Sequence, residues 1–137
     1  MRKKGFTLVE VLIVVIIIGI LAAIAMPQYV GTIEKARSAE ATSNVGALRS
    51  SMDRYWYEKS SQPSYTAATL NTLDIDNPND DGNRMYDYTL TDSSDITARS
   101  YTIRADRIDK ASYWVQWIQS GASGKMYKSN ALGGPES

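Results

Sequence analysis

The sequence predicts an α+β fold: one long N-terminal α-helix packed on a three- to four-stranded antiparallel β-sheet meander. Three observations predict it. Val11–Met26 reads VLIVVIIIGILAAIAM, sixteen residues without a polar side chain. Ala41, Val45, Leu48, Met52 and Tyr55 then recur at 4-3-4-3 spacing, which makes a single apolar stripe on a helix. From Met85 onward apolar and polar residues alternate in short runs separated by turn formers, the period-two signature of half-buried strands.

Composition narrows the function classes. At 137 residues the chain is long enough for one ordinary soluble domain beside the apolar segment. Cysteine and histidine are both absent. Their absence excludes disulfide scaffolds, Cys/His zinc sites, thiol nucleophiles and every Ser-His-Asp arrangement. Fifteen Lys+Arg balance fifteen Asp+Glu, and the isoelectric point is near 6.2. No nucleic-acid partner is expected from that balance, since such binders usually present a basic stripe.

The first element is residues 1–5, a basic leader containing Arg2, Lys3 and Lys4. Three consecutive cations favour a cytoplasmic N-terminus and place the chain beyond the apolar run on the far side of the membrane. The second is residues 6–27. A helix from Phe6 to Met26 would span roughly 31 Å, the thickness of a bilayer's hydrocarbon core. Ala22-Ala23-Ile24-Ala25 imitates a signal-peptidase site, but Glu10 and the abrupt basic-to-apolar junction argue against an ordinary secretory signal. A carboxylate inside an apolar run is costly, about 2.5 kcal/mol or more at mid-membrane. Glu10 therefore either sits among the headgroups or has a cationic partner outside its own chain.

Residues 28–137 form the soluble part. Pro27 removes one helical hydrogen bond and predicts a kink, with Gly31 adding softness. Helical patterning resumes and continues to about Lys59, so one helix is expected from about Thr7 to Lys59. Ser43, Asn44, Ser50, Ser51, Asp53 and Arg54 read as its solvated face, with Arg49 and Asp53 spaced to pair. Ser60–Ser64 stops the helix, and Thr66–Leu73 predicts a short helix with Leu70 and Leu73 turned inward. Asp74–Asn83, DIDNPNDDGN, is dense in turn formers. Strands are expected from Met85 to Leu90, Ala98 to Ala105 and Ser112 to Gln119, and a marginal one from Lys125 to Lys128. Turns fall at Asp92–Asp95, Arg107–Ala111 and Gly121–Gly124.

Other candidate sites are few. Asn77, Asn79 and Asp81 stand at positions one, three and five of an EF-hand spacing, with Gly82 at six. Position twelve is Tyr88 rather than a bidentate Glu, which excludes a true EF-hand. Plain turn chemistry accounts for this loop, with calcium the alternative; no other cofactor or metal is expected. Tyr55-Trp56-Tyr57, Tyr113-Trp114 and Trp117 fit core packing with one exposed ring per cluster, the alternative being a subunit-contacting patch. Asp80/Asp81 and Asp106/Asp109 are carboxylate pairs, but nothing beside them suggests a general acid, so no enzymatic role is expected.

Gly5-Phe6-Thr7-Leu8-Val9-Glu10, behind a short basic leader and ahead of an apolar helix, resembles the type IV prepilins and the pseudopilins of type II secretion. The resemblance covers about residues 1–35 and includes Gly19 and Pro27, which match the family's helix-softening positions. It implies a pilin-like fold, cutting by a prepilin peptidase between Gly5 and Phe6, and N-methylation of Phe6. It implies that Glu10 sets assembly register by facing the Phe6 amine of a neighbouring copy. The expected partners are copies of the same chain, the peptidase, and the inner-membrane assembly machinery. The expected location is the inner membrane first, then an extracellular pilus or a periplasmic pseudopilus. Leader removal leaves 12 basic and 15 acidic side chains. Many pilins close their C-terminal region with a disulfide, which is impossible here. The Tyr-Pro-Thr-Thr stretch of major pseudopilins is also missing, with Gln62-Pro63-Ser64-Tyr65 in its place. The pilus subunit is the preferred reading, the pseudopilin the alternative, and a single-pass anchored periplasmic binding domain a remote third.

Overall fold

Helix α1 runs from Leu8 to Lys59, 52 residues, and is unbroken across Pro27. The computed structural model describes residues 5–61, 66–93 and 98–134. Most of the leader, the core of the helix stop at Gln62–Ser64, and the turn residues Ser94–Asp95 fall outside the described residues. The chain divides into two bodies, one ending at Lys35 and one beginning at Ala36.

In the first body every large apolar side chain from Phe6 to Val30 is more than half exposed. This results from composition: a helix that is apolar all round has no polar face to give to water and needs cover on every side. Its sequence is long and apolar enough to cross a bilayer.

The second body, here called the head, packs the remaining helical turns of α1 on a four-stranded sheet. The strands are β1 (Tyr86–Asp92), β2 (Ser100–Arg107), β3 (Trp114–Ser120) and β4 (Ser123–Lys128). Their spatial order is β1-β2-β3-β4 and every neighbouring pair is antiparallel, a meander. Period-two side-chain placement makes one face apolar: Tyr86 and Tyr88, Tyr101, Ile103 and Ala105, Val115 and Trp117 are buried. The predicted stripe meets that face. Ala41, Val45, Leu48 and Met52 are fully or almost fully buried, and Tyr55 packs at their edge. Each large aliphatic member of this core contributes about 1.5–3 kcal/mol by leaving water.

Turn chemistry sets the meander. Ser120 pairs with Ser123 across a two-residue loop in which Gly121 adopts φ +59°. A tight hairpin demands that left-handed backbone at its first central position, and glycine supplies it without strain. The marginal fourth strand is longer than expected, because pairing with β3 recruits Ser123 and Gly124. β2 also runs two residues further than its alternation suggests. Arg107 is a buried strand residue rather than a turn residue: its amide donates to the Tyr113 carbonyl at 2.9 Å.

Two more expectations change. Thr66–Leu73 contains only a three-residue 3-10 turn, Leu70–Thr72, yet Leu73 is buried and Leu70 packs on the core as expected. The side of α1 expected to face solvent is partly used for docking. Ser51 is 0% exposed, and Asn44 Nδ2 donates to the Tyr88 hydroxyl at 2.9 Å. A helix laid on a sheet buries positions flanking its apolar stripe, and polar residues there need partners. A last 3-10 turn, Asn130–Leu132, places Leu132 into the core.

Candidate assembly site

The segment that the sequence singles out begins in extended chain. Gly5 and Phe6 precede the helix and are exposed, Phe6 at 86%. Glu10 lies in the first turn of α1, where a carboxylate suits the helix dipole. Its Oε2 accepts the Thr7 amide and the Thr7 hydroxyl, both at 2.8 Å, and its own amide donates to Thr7 Oγ1 at 3.3 Å. This reciprocal pair is a capping box. Its signal in the sequence is Thr-x-x-Glu at the edge of an apolar run, although the reading of the motif by residue type assigns Thr7 no role. Gly19 lies in the apolar helix with nothing within 4 Å of where a Cβ would stand. Around it the surface is purely hydrocarbon, with Glu10 as its single charge between Phe6 and Tyr29.

The Asx-rich loop is knit together by its own side chains. Asn77 Oδ1 accepts the Asn79 amide at 3.0 Å, and Asn77 Nδ2 donates to Asn71 Oδ1 at 2.6 Å. Asn79 docks on β1 like a strand partner: Nδ2 donates to the Tyr88 carbonyl at 2.8 Å, and Oδ1 accepts the Tyr88 amide at 2.8 Å. Asp81 Oδ1 accepts the Asn83 amide at 2.8 Å. Each of the three side chains has a structural partner, within the loop for Asn77 and Asp81 and on β1 for Asn79.

Several aromatic side chains of the head lie against cations. Arg49 stacks on buried Trp117, 4.1 Å from the ring centre. Arg104 lies over Trp114 at 4.8 Å and Lys125 over Tyr127 at 5.3 Å. Arg99 reaches both Trp56 and the 66%-exposed Tyr57. Arg99 has φ +38°, an unfavourable backbone for an arginine. Its guanidinium is held by the Asp53 carboxylate at 2.5 Å. The predicted Arg49–Asp53 pair exists but is longer, at 3.9 Å. Asp106 is taken by Arg104 and Asp109 by Arg107, so these carboxylates serve as arginine acceptors.

Electrostatics reflect these contacts. Arg54 donates to Asp74 at 2.7 and 2.8 Å, and the Ser51 hydroxyl also donates to it. Asp74 is thereby held at about 2, chiefly by Arg54 and then by Ser51. Burial pushes the Tyr101 phenol well up, and its hydrogen bond to Asp53 adds to the effect. Burial also raises Tyr88.

An uncovered apolar helix with one charged residue at its start, continued into a helix-on-meander head, defines a subunit of the type IV pilin and pseudopilin class. Residues 1–26 match the prokaryotic N-terminal methylation motif, and residues 27–113 match the family described as type IV minor pilin ComP, DNA uptake sequence receptor. The chain belongs to this type IV pilin family.

Among curated proteins, the type II secretion system core protein G of Dickeya chrysanthemi is 40% identical over 46% of this chain and 41% of its own length. The fimbrial protein EcpC of Eikenella corrodens is 41% identical over 48% of this chain and 43% of its own. The type IV major pilin protein PilA of Myxococcus xanthus is 45% identical over 42% of this chain and 26% of its own. The chain thus spans less than half the length of each of these relatives. No solved structure matches. The proteins matched are structural subunits of pili and pseudopili rather than enzymes.

Proposed function

We propose that this chain is a structural subunit of a type IV pilus. It enters the inner membrane as a prepilin with its N-terminus in the cytoplasm. It is cut between Gly5 and Phe6, N-methylated at Phe6, and polymerised through α1, with Glu10 setting register. Gly19 and Pro27 soften the helix for that packing. One observation carries the reading: the apolar half of α1 is uncovered on every side while the head buries its own stripe. Copies of the same helix supply the missing cover once a subunit leaves the lipid.

Intact mass of the membrane-extracted protein tests the processing. A chain beginning at Phe6 with one added methyl is expected, and a chain beginning at Met1 or after Ala25 overturns the reading. Gly5→Leu blocks cutting, because the peptidase needs a small residue before the scissile bond. Extracellular filaments containing this chain distinguish a pilus from the periplasmic pseudopilus that the relatives named core protein G favour.

A DNA-contacting pilin is the second reading, favoured by the description of the matched family. The surface suited to it is the outer face of the sheet, where Arg104 covers Trp114 and Lys125 covers Tyr127. Against it, residues 28–137 carry 12 basic and 14 acidic side chains, and among the described residues six arginines face carboxylates. Duplex DNA that the wild-type head retains at physiological salt, and that Arg104→Ala with Lys125→Ala releases, supports this second reading. No retention by the wild type removes it.

A further inference from the structure

We infer that Thr7 is the positioning residue for Glu10, and that its hydroxyl orients the carboxylate for a cation from a second copy of the chain. This rests on the assembly role proposed for Glu10. A glutamate has three rotatable side-chain bonds, so an unrestrained Glu10 would present its charge over a wide arc. Here Thr7 closes that arc, since its amide and its hydroxyl both donate into the same oxygen, Oε2, at 2.8 Å. The Glu10 amide returns a bond to the Thr7 oxygen, so the two residues fix each other.

The consequence for chemistry is a division of labour within one carboxylate. Oε2 is saturated by its own chain, and Oε1 receives no hydrogen bond from the described residues. A donor from outside therefore meets an oriented acceptor with one oxygen open. Between Phe6 and Tyr29 the sequence holds no cationic side chain, so after cleavage the cations within reach of that oxygen are terminal amines, that of the same chain or that of a second copy. An alkylammonium such as the Phe6 amine of a second copy has the required charge and size. A hydrogen bond to a charged group in apolar surroundings is stronger than one in water, so a small loss of orientation has a large effect on pairing.

Thr7 as a mere helix cap and Thr7 as a positioning residue make different demands. Glycine is nearly as good as threonine at the start of a helix but has no hydroxyl to donate. Serine keeps the hydroxyl, and valine keeps the shape without it. The experiment expresses full-length Thr7→Ser, Thr7→Gly and Thr7→Val in the native host. It measures sedimentable polymer relative to the processed membrane pool of each variant. Thr7→Ser is expected within about twofold of wild type, and Thr7→Gly and Thr7→Val each at least about tenfold lower, the loss of one hydrogen bond to a charged group. Thr7→Gly assembling like wild type overturns the inference, because capping alone would then be what matters. Thr7→Ser failing alongside the other two overturns it as well. Glu10→Ala is run in parallel: if it polymerises at wild-type yield, the assembly role of Glu10 itself is wrong. If only the Thr7 variants behave like wild type, that role stands and the positioning by Thr7 falls.

Discussion

The Tyr101 hydroxyl donates to the Asp53 carboxylate at 2.9 Å, linking the second strand of the sheet to the helix that lies across it. Tyr101 is 2% exposed, and the same carboxylate receives Arg99, so one acid fixes both the crossing of α1 over β2 and the entry into β2. Burial, and then Asp53, raise the Tyr101 phenol above its ordinary value of 10.0. A raised folded-state value means that the contribution is complete below about pH 10 and is lost as pH climbs toward the folded value. The head is therefore expected to lose stability in alkali above that point. Tyr101→Phe removes this share of the loss, although Tyr88 still contributes in the same direction. Thermal melts of both proteins from pH 8 to 12 decide it: parallel curves would show that Tyr101 does not couple to folding.

Asp74 gives the opposite limb. Arg54 first, and the Ser51 hydroxyl second, hold it at about 2 against an ordinary 3.8. A depressed carboxylate contributes fully above its unfolded value and stops contributing as pH falls through the folded one. Asp74→Asn is expected to lower the melting temperature at neutral pH, where Ser51 loses its charged acceptor. The gap to wild type should then close between about pH 4 and 2. A gap that stays constant over that window contradicts the pairing.

Leu48 tests the helix-on-sheet contact. It is 1% exposed, between Val45 and Met52 on the stripe. Leu48→Ala is expected to cost the head about 2–5 kcal/mol. The head expressed from Gln28 onward, without the apolar half of α1, should remain folded and monomeric, because its stripe is covered by its own sheet. Circular dichroism melts with sedimentation measure both points. A cost below about 0.5 kcal/mol, or a helical oligomer, would indicate a coiled coil between chains.

Gly124 tests the sheet's inner surface. A Cβ there would collide with the Trp117 ring and the Gln119 side chain, and Trp117 Nε1 already donates to Gln119 Oε1 at 3.2 Å. Gly124→Ala is expected to destabilise the head by about 1–3 kcal/mol through overpacking. Gly82→Ala is the control, since nothing lies within 4 Å of its Cβ position. Denaturant midpoints of the two variants compare them, and equal midpoints would mean that β4 shifts freely.

The sequence carried the architecture because its signals are local. Sixteen consecutive apolar residues, the 4-3-4-3 stripe and the alternation of Tyr86, Tyr88, Tyr101, Ile103, Val115 and Trp117 each depend on neighbours within a few positions. The N-terminal methylation motif was legible for the same reason, since Gly5, Phe6 and Glu10 form one short string. Periodicity reports which residues leave water. It therefore placed Leu48 and Met52 in the core, but it put Ser51 and Asn44 with the solvent.

What the tertiary structure alone decided is the pairing of polar groups across long stretches of chain. Asp53 meets Tyr101 48 residues away, Ser51 meets Asp74 23 away, and Asn44 meets Tyr88 44 away. Hydrophobic spacing tells a helix which face to bury, but it does not set where the helix crosses the sheet or how far it slides along it. Those two choices determine which buried hydroxyl lies within 3 Å of which carboxylate or amide. Each such group must find a partner once it leaves water.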